Sequence, residues 1–326
     1  MVTTAGQAIL HAAVGALVVE ALRRLWRVED PGERLALRWV AIAAPVGLTT
    51  LYLALAPWRA AAWFVEDWAL FAGAHWDHLR LGGIGLATAA SAALSALGLV
   101  LYLRDAVPFV ADRLARTAAE DRLPHDHPAS ARVREALNAL PASALERTPA
   151  ITVVDHESPV LLCTGVDRTS IVVSTGTLGR LDDAALQAAL AHELAHLARR
   201  DPLTGWWLMA ARTLQAFNPV VQVVARQAVQ DLERRADVAV TAQGLAGGLA
   251  DAIHRLSFAA DVRSDLALPS EGGHLADRVL ASAHRRALDT RCQLLFEGVV
   301  PASHPLRTLR IGLAGATLAV LLFFVV

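Results

Sequence analysis

Four long apolar runs divide the chain, and each is long enough to cross the roughly 30 Å hydrocarbon core of a bilayer. They lie near Val2 to Leu22, Leu35 to Ala56, Leu81 to Leu103, and Leu309 to Val326. Between the third run and the fourth, the pattern changes to shorter amphipathic and β-branched segments. The hydrophobic pattern therefore predicts a mainly α membrane protein with about four transmembrane helices and one large domain outside the bilayer.

The arginines predict the orientation of these spans, because short cytoplasmic loops are rich in basic residues. The connection between the first two runs, with its flanks, carries Arg23, Arg24, Arg27, Arg34 and Arg38. The next connection is instead rich in tryptophan, which is typical of an outer interface; it holds Trp58, Trp63, Trp68 and Trp76. We expect a multi-pass protein of the cell (inner or plasma) membrane, with its N-terminus outside and the stretch from about Arg104 to Arg307 in the cytoplasm.

This organisation predicts three parts: a membrane domain with three helices at 1–104, a cytosolic α+β domain at 105–306, and a fourth transmembrane helix at 307–326. Short β-branched runs predict strands at Ile151 to Asp155, Pro159 to Cys163 and Ser170 to Ser174. Helical patterns follow from Asp182 onward. Residues 203–226 are apolar enough for a fifth span, but they also fit a buried or membrane-hugging segment or a re-entrant hairpin.

Composition supports a membrane protein and excludes some partners. Of the 326 residues, 55% are hydrophobic, and the mean hydropathy of +0.40 is higher than that of an ordinary soluble domain. The net charge is −1, so no basic field suggests a nucleic-acid partner. Cys163 and Cys292 are far apart and outside any CxxC pattern, so we expect neither a disulfide framework nor a cysteine metal site.

A candidate metal site lies in the predicted helix that begins at Asp182 or Asp183 and includes "HELAHLARRD", residues 192–201. His192 and His196 are one helical turn apart, so both imidazoles can reach the same point, and their spacing is that of a zinc half-site. Glu193 stands where a carboxylate can take a proton from a metal-bound water. The bland alternative is a polar turn in an alanine-rich helix.

A third ligand is predicted 37 residues after His196, at Glu233 in "QDLERRADVAV". Glu233 would complete a set of two histidines and one glutamate around one Zn²⁺ per chain and leave a fourth position for water. Asp237, one turn later, is placed to orient a ligand histidine through a hydrogen bond. Alone, this pair of carboxylates would be typical of a solvated helix face.

The segments "HELAHLARRDPL", "LQAFNPVV" and "ERRADVAV" resemble the catalytic core of membrane-embedded gluzincin metallopeptidases. The pattern is similar to the BlaR/MecR antirepressor-type family, peptidase family M56, and also to the HtpX and CAAX prenyl protease family, M48. The resemblance implies a gluzincin zinc-protease domain, with three spans before it and one after.

The chain departs from both families in its later part. BlaR-type receptors carry an extracellular penicillin-binding domain after the fourth span, whereas no such domain is visible in this sequence, so the resemblance does not imply a β-lactam response. HtpX-like enzymes have a late His-Pro motif thought to lie near the transition state. The candidates for its counterpart are His304 in "SHPLRTLRI" and His274 in "GGHLADRV", which is similar to an arginine motif late in the BlaR-type domain. The bland alternatives are a polar approach to the fourth span for the first and a helix start for the second, and the sequence does not choose among them.

These features predict an integral membrane zinc endopeptidase that cuts cytoplasmic or membrane-proximal proteins. In this hypothesis, His192, His196 and Glu233 bind zinc, Glu193 is the general base, and Asp237 supports a ligand. The strand at Ser170 to Ser174 is expected to pair with an extended substrate. Three functions stay open: an antirepressor that works with a separate sensor or repressor protein, an HtpX-like quality-control protease, and a non-catalytic signalling scaffold.

Overall fold

The computed structural model describes residues 4–70, 79–81, 83–118, 122–124, 127–141, 149–164, 169–266, 286 and 288–325. The first part of the chain forms α1 (Thr4–Leu25), α2 (Pro31–Leu55), a 3₁₀ turn (Pro57–Ala60), α3 (Ala62–Asp67), β1 (Arg80–Leu81), β2 (Ile84–Gly85) and α4 (Leu86–Ala118). The middle forms α5 (Pro128–Asn138), β3 (Ala150–Val154), β4 (Leu161–Thr164), β5 (Ser170–Ser174), α6 (Thr175–Leu178) and α7 (Asp183–Ala198). The last part forms α8 (Asp201–Leu214), α9 (Pro219–Ala242), α10 (Ala246–Leu266), a helix α11 that includes 288–297, and α12 (Arg307–Phe323).

The chain divides into two compact units. Unit 1 comprises Met1–Ala115, Gly205–Leu232 and Ala302–Val326, and unit 2 comprises Arg116–Thr204 and Glu233–Pro301. The division differs from the predicted continuous segment 105–306, because residues 205–232 pack with unit 1. The reason is apolar burial: Leu208, Val221 and Ala225 share one hydrophobic core with residues of α1, α2 and α12.

Unit 1 contains the candidate membrane spans. Among the described residues, Ala5–Leu25, Pro31–Leu55 and Leu86–Val107 are long and apolar enough to cross a bilayer. Only 11% of the most apolar stretch of the third is buried, which leaves its apolar surface for lipid. The predicted fourth span corresponds to α12, a helix of 17 residues that packs against α1 and α2. The fourth crossing and the orientation of the spans stay predictions.

The segment that resembled a fifth span is a helical hairpin within unit 1. Its turn, at Phe217 and Asn218, lies against Gly98 in the middle of α4, where a Cβ would stand 2.3 Å from the Phe217 carbonyl oxygen. Both arms then run back along α4, since Arg212 of α8 and Arg226 of α9 donate hydrogen bonds to Asp105. The segment therefore goes out and returns, as a re-entrant hairpin would.

Polar side chains stabilise this turn in an otherwise apolar unit. The Gln215 amide donates to the Ile42 carbonyl oxygen of α2, at 3.2 Å, and the Asn218 amide donates to the Ala8 carbonyl oxygen of α1, also at 3.2 Å. Gln222 donates to the carbonyl oxygens of Arg212 and Gln215, which closes the two arms of the hairpin against each other. Backbone away from water needs such partners, so the turn is tied to the surrounding helices.

Unit 2 is built on a three-stranded sheet in the order β3-β5-β4. β3 runs parallel to β5, with Ile151 opposite Ile171, and β4 runs antiparallel to β5, with Cys163 opposite Ile171. All three predicted strands are confirmed within two residues at each end. The core of unit 2 lies between the sheet and helices α5, α7 and α10; Ile171, Val173, Leu186 and Leu190 are fully buried in it.

α7 forms where the sequence predicts it. Asp182 is the N-cap, and its carboxylate accepts the Ala185 N–H at 2.9 Å. The leucines spaced by four residues face the core, with Leu194 4% exposed. The helix ends as Arg200 adopts a left-handed conformation (φ 55°), after which α8 begins at Asp201.

Replacing Gly98 with alanine should destabilise unit 1, because the new Cβ would overlap backbone atoms of the hairpin turn. We expect a loss of about 1–3 kcal/mol in the free energy of unfolding, the usual cost of overpacking. Gly47 of α2 is the matched control, since a Cβ there meets nothing within 4 Å. Thermal unfolding of both variants in detergent tests this, and equal midpoints would contradict the close approach.

Candidate metal centre

Helices α7 and α9 bring three ligand groups to one point within unit 2. His192 and His196 come from α7, Glu233 comes from α9, and one ligand atom from each lies within 4.8 Å of the others. The two Nε2 atoms are 3.1 Å apart. The carboxylate of Glu233 lies 3.4 Å from the Nε2 of His192 and 3.7 Å from that of His196.

This donor set fits a tetrahedral metal ion. Ligand atoms that stand about 2.0–2.1 Å from such an ion lie about 3.3 Å from one another. This is close to the 3.1 Å between the two Nε2 atoms and the 3.4 Å between Oε2 of Glu233 and Nε2 of His192. Two imidazoles and one carboxylate are also the donor types that zinc uses in catalytic sites. The cluster can therefore hold a divalent cation with His192, His196 and Glu233 as ligands.

Each ligand histidine has an aspartate behind it. The Nδ1 of His196 hydrogen-bonds to Asp201 at 2.9 Å. The Nδ1 of His192 lies 3.2 Å from Asp237, at ion-pair distance although not in hydrogen-bond direction. These carboxylates favour a proton on each Nδ1, which directs the Nε2 lone pairs toward the cluster. Without a cation, two lone pairs would face each other at 3.1 Å.

Each of these aspartates is in turn paired with an arginine. Arg235 of α9 contacts Asp201, and Arg291 of α11 donates two hydrogen bonds to Asp237, at 2.8 and 2.9 Å. A guanidinium group matches the geometry of a carboxylate in this two-bond arrangement. Each histidine is thus the end of an arginine–aspartate–histidine chain.

The carboxylates determine the protonation of the metal-free cluster. Burial by itself lowers the pKa of His192, but Asp237 and Glu233 outweigh it and raise that pKa to about 9. Burial raises the pKa of Glu233, yet His192 and Arg291 bring it well below its usual range. Glu233 keeps 36% of its side chain exposed, so water screens part of this effect. A proton on His192 therefore takes the place of positive charge that a metal would bring.

Glu193 lies beside the cluster and differs from the other carboxylates. Burial raises its pKa, and the two histidines offset only part of that shift. One carboxylate oxygen, Oε2, accepts the backbone N–H of Cys163 at 2.7 Å. Burial and then Glu193 also raise the pKa of the Cys163 thiol, so this cysteine stays protonated at neutral pH and is a poor metal ligand.

The expectation that β5 pairs with an extended substrate is wrong. β5 is the central strand and already pairs with β3 on one side and β4 on the other. β4 is the edge strand nearest Glu193, because Cys163 belongs to it. The sequence showed three strands but not their order, and only an edge strand has unpaired backbone groups for a further strand.

Comparisons with known proteins find similarity to membrane peptidases. The family model of the BlaR1 peptidase M56 matches residues 93–246. A protease HtpX homolog of Acidiphilium cryptum is 43% identical over 58 residues, which are 17% of this chain and 20% of that protein. Protease HtpX homolog 1 of Streptomyces coelicolor is 30% identical over 128 residues, which are 37% of this chain and 40% of that protein.

The chain resembles the M56 and HtpX membrane peptidases, as its motifs predicted. The matched residues span less than half the length of each HtpX homolog. The match to the M56 family includes α7, the hairpin and the start of α10, and therefore contains His192, His196 and Glu233.

Three residues of this M56-like site were missed by sequence reasoning. Asp201 is the last residue of the quoted "HELAHLARRD" motif, but the sequence does not indicate that it supports a histidine. Arg235 lies between Glu233 and Asp237, on the helix already singled out. Arg291 had no signal in the sequence, since nothing local connects "DTRCQLL" to the cluster.

The two late histidines are not joined to the cluster by any described contact. His304 belongs to unit 1, where its ring accepts the Leu306 N–H at 3.1 Å, just before α12. His274 lies outside the described residues. A role for either in the M56-like site stays a prediction.

The metal-free protein should lose stability as pH rises from about 6.5 to about 9. The proton on His192 is held more tightly in the folded chain, so its contribution to the free energy of unfolding is complete below the ordinary pKa of 6.5 and is lost through the folded value of about 9. We expect a decline on the order of a few kcal/mol. Thermal unfolding of chelator-treated protein across this range measures it.

His192→Gln is the control, because this variant has no proton to lose at that position. Its unfolding midpoint should change much less over the same range. An equal decline in wild type and variant would show that another group causes the loss.

Proposed function

We propose that this protein is a membrane zinc endopeptidase whose active site is the cluster of His192, His196, Glu233 and Glu193. The convergence of two imidazole nitrogens and one carboxylate, with Glu193 beside them, supports this proposal most directly. The similarity to M56 and HtpX peptidases favours peptide bonds as substrate. The apolar helices favour a site in a membrane protein.

His192, His196 and Glu233 would hold the metal. When bound there, zinc would polarise the scissile carbonyl group and lower the pKa of a water molecule. Asp201 and Asp237 keep the two imidazoles in the tautomer that presents Nε2 to the cluster. The chain thus provides three ligands already oriented by their neighbours.

Glu193 is the proposed proton carrier. Its Oε2 is held by the Cys163 N–H, which leaves Oε1 to take the proton of the attacking water. The same carboxyl group then gives that proton to the nitrogen of the leaving amine. Burial raises the pKa of Glu193 above its usual range, which makes the carboxylate a stronger base.

The edge of β4 would bind the substrate in extended form. Its backbone faces β5 on one side, while the Cys163 N–H points away from β5 to the proposed base. A peptide added along this edge, which pairs with no other strand among the described residues, would pass beside Glu193. Pairing through backbone atoms tolerates many side chains, so such an enzyme would accept varied sequences.

Replacing Glu193 with glutamine should abolish cleavage while the metal stays bound. The amide keeps the shape of the side chain but cannot carry the proton, and loss of a general base typically costs 10²–10⁴-fold in rate. The measurement compares cleavage of candidate substrates by wild-type and variant protein in membranes. The metal content of both purified proteins is measured as well. Glu135→Gln, an exposed change on α5, is the matched control and should keep full activity.

Equal cleavage by Glu193→Gln and wild type would remove the protease assignment and leave a non-catalytic signalling scaffold. The presence of Glu193 beside three potential ligands argues against a scaffold, because a structural metal site does not need a general base.

The number of substrates distinguishes two possible functions of such a protease. An antirepressor would cut one regulator, with a separate partner providing the signal, whereas an HtpX-like quality-control protease would cut many proteins. The identity to two HtpX homologs favours the second function. Proteomic comparison of membranes carrying wild type or Glu193→Gln distinguishes them by the number of fragments that depend on Glu193.

A further inference from the structure

Arg291 connects two acidic residues of the cluster that no other described arginine joins. Its Nη1 lies 3.0 Å from Oε2 of Glu233, a proposed ligand. Its Nε and Nη2 donate to the two carboxylate oxygens of Asp237 at 2.9 and 2.8 Å. One guanidinium group therefore holds both carboxylates on this face of α9.

The position of Arg291 is itself fixed. The arginine is on α11, one helical turn before Leu295, and residues four apart share a helix face. Leu295 is 3% exposed and belongs to the hydrophobic core of unit 2. The side chain of Arg291 is only 16% exposed, so packing restricts both the backbone and the guanidinium group of this arginine.

Glu233 and Asp237 need such a partner. They are one turn apart on the same helix, and two carboxylates at this spacing repel each other. The exposed fraction of the Glu233 side chain, 36%, shows that packing alone does not fix its rotamer. A planar guanidinium with several donors can hold the two groups at once, which a single ammonium does not do as well.

The contact leaves Glu233 able to bind a cation. A carboxylate has about four lone-pair positions, and Arg291 uses one of them on Oε2. Oε1 of Glu233 faces His196. The negative charge of Asp237 offsets the positive charge of Arg291, which reduces the repulsion between this arginine and a metal ion.

Arg235 provides a comparison on the same helix. It contacts Asp201, which supports His196, but no described contact joins it to Glu233. Arg291 thus binds Asp237 as Arg235 binds Asp201, and in addition it contacts the carboxylate of Glu233.

We propose that Arg291 is a positioning residue for metal capture, which sets the orientation of the Glu233 ligand and of the Asp237 that supports His192. The inference rests on the proposed function, since it takes the cluster to be a metal site. It concerns affinity for the metal and leaves proton transfer to Glu193.

The test is metal affinity of the full-length protein in detergent, measured by titrating Zn²⁺ into chelator-treated protein against a competing chelator. Arg291→Gln should raise the dissociation constant for Zn²⁺ by about 10–100-fold, which is the usual effect of removing a group that hydrogen-bonds to a metal ligand. Arg291→Lys should raise the dissociation constant less, because lysine keeps the positive charge but lacks the planar guanidinium group that binds two carboxylates. The absorption bands of bound Co²⁺ should shift in both variants and report changed ligand geometry.

Arg255→Gln is the matched control. Arg255 also pairs with two carboxylates, Asp182 and Asp251, but it is exposed and away from the ligands, so its variant should bind zinc as wild type does. Thermal unfolding of the metal-free variants separates folding from binding. If Arg291→Gln does not purify in folded form, Arg291→Lys carries the comparison.

Wild-type affinity in both Arg291 variants, or tighter binding in Arg291→Gln, would overturn the inference. Absence of zinc binding by wild type would instead remove the proposed function itself. His192→Ala, which removes a proposed ligand, gives the change in the zinc dissociation constant that loss of a ligand causes.

Discussion

The mutual approach of two imidazole nitrogens is the constraint on which the rest of the site depends. The Nε2 atoms of His192 and His196 face each other at 3.1 Å, and aspartates behind both rings favour the tautomers that leave these atoms without hydrogens. Such a pair is unfavourable unless positive charge lies nearby. A proton on His192 meets this need in the metal-free protein, and a divalent cation would meet it better. Glu233 and the two aspartates balance that charge, and the arginines hold these carboxylates in place.

The hairpin at residues 205–232 explains how two distant parts of the sequence supply one cluster. α7 ends just before the hairpin, and Glu233 follows directly after it. A single crossing would separate the two in a membrane, whereas a segment that returns along α4 does not. Gly98 permits this return, because any larger residue would collide with the turn.

The cluster also shows how buried charges become tolerable. Burial raises the carboxylate pKa values of Glu233 and Asp237, but His192 and Arg291 reverse this, so both remain ionised. Glu193 lacks a cationic partner of that strength, and its pKa stays raised. Glu233, Asp237 and Glu193 are all carboxylic acids, so the difference between the proposed metal ligand and the proposed proton carrier comes from their neighbours.

The sequence by itself determined the local features: apolar runs, the Asp182 cap, three β-branched strands, and a histidine pair whose spacing is imposed by the helix. It also indicated Glu233 and Asp237, since residues four apart share a helix face. Only the tertiary structure decided what depends on distant contacts. These are the order β3-β5-β4, which makes β4 the edge strand, the return of the hairpin along α4, and the arrival of Arg291 from α11. Helix periodicity is a property of neighbouring residues, whereas strand order and ion pairs across the fold depend on how the whole chain packs.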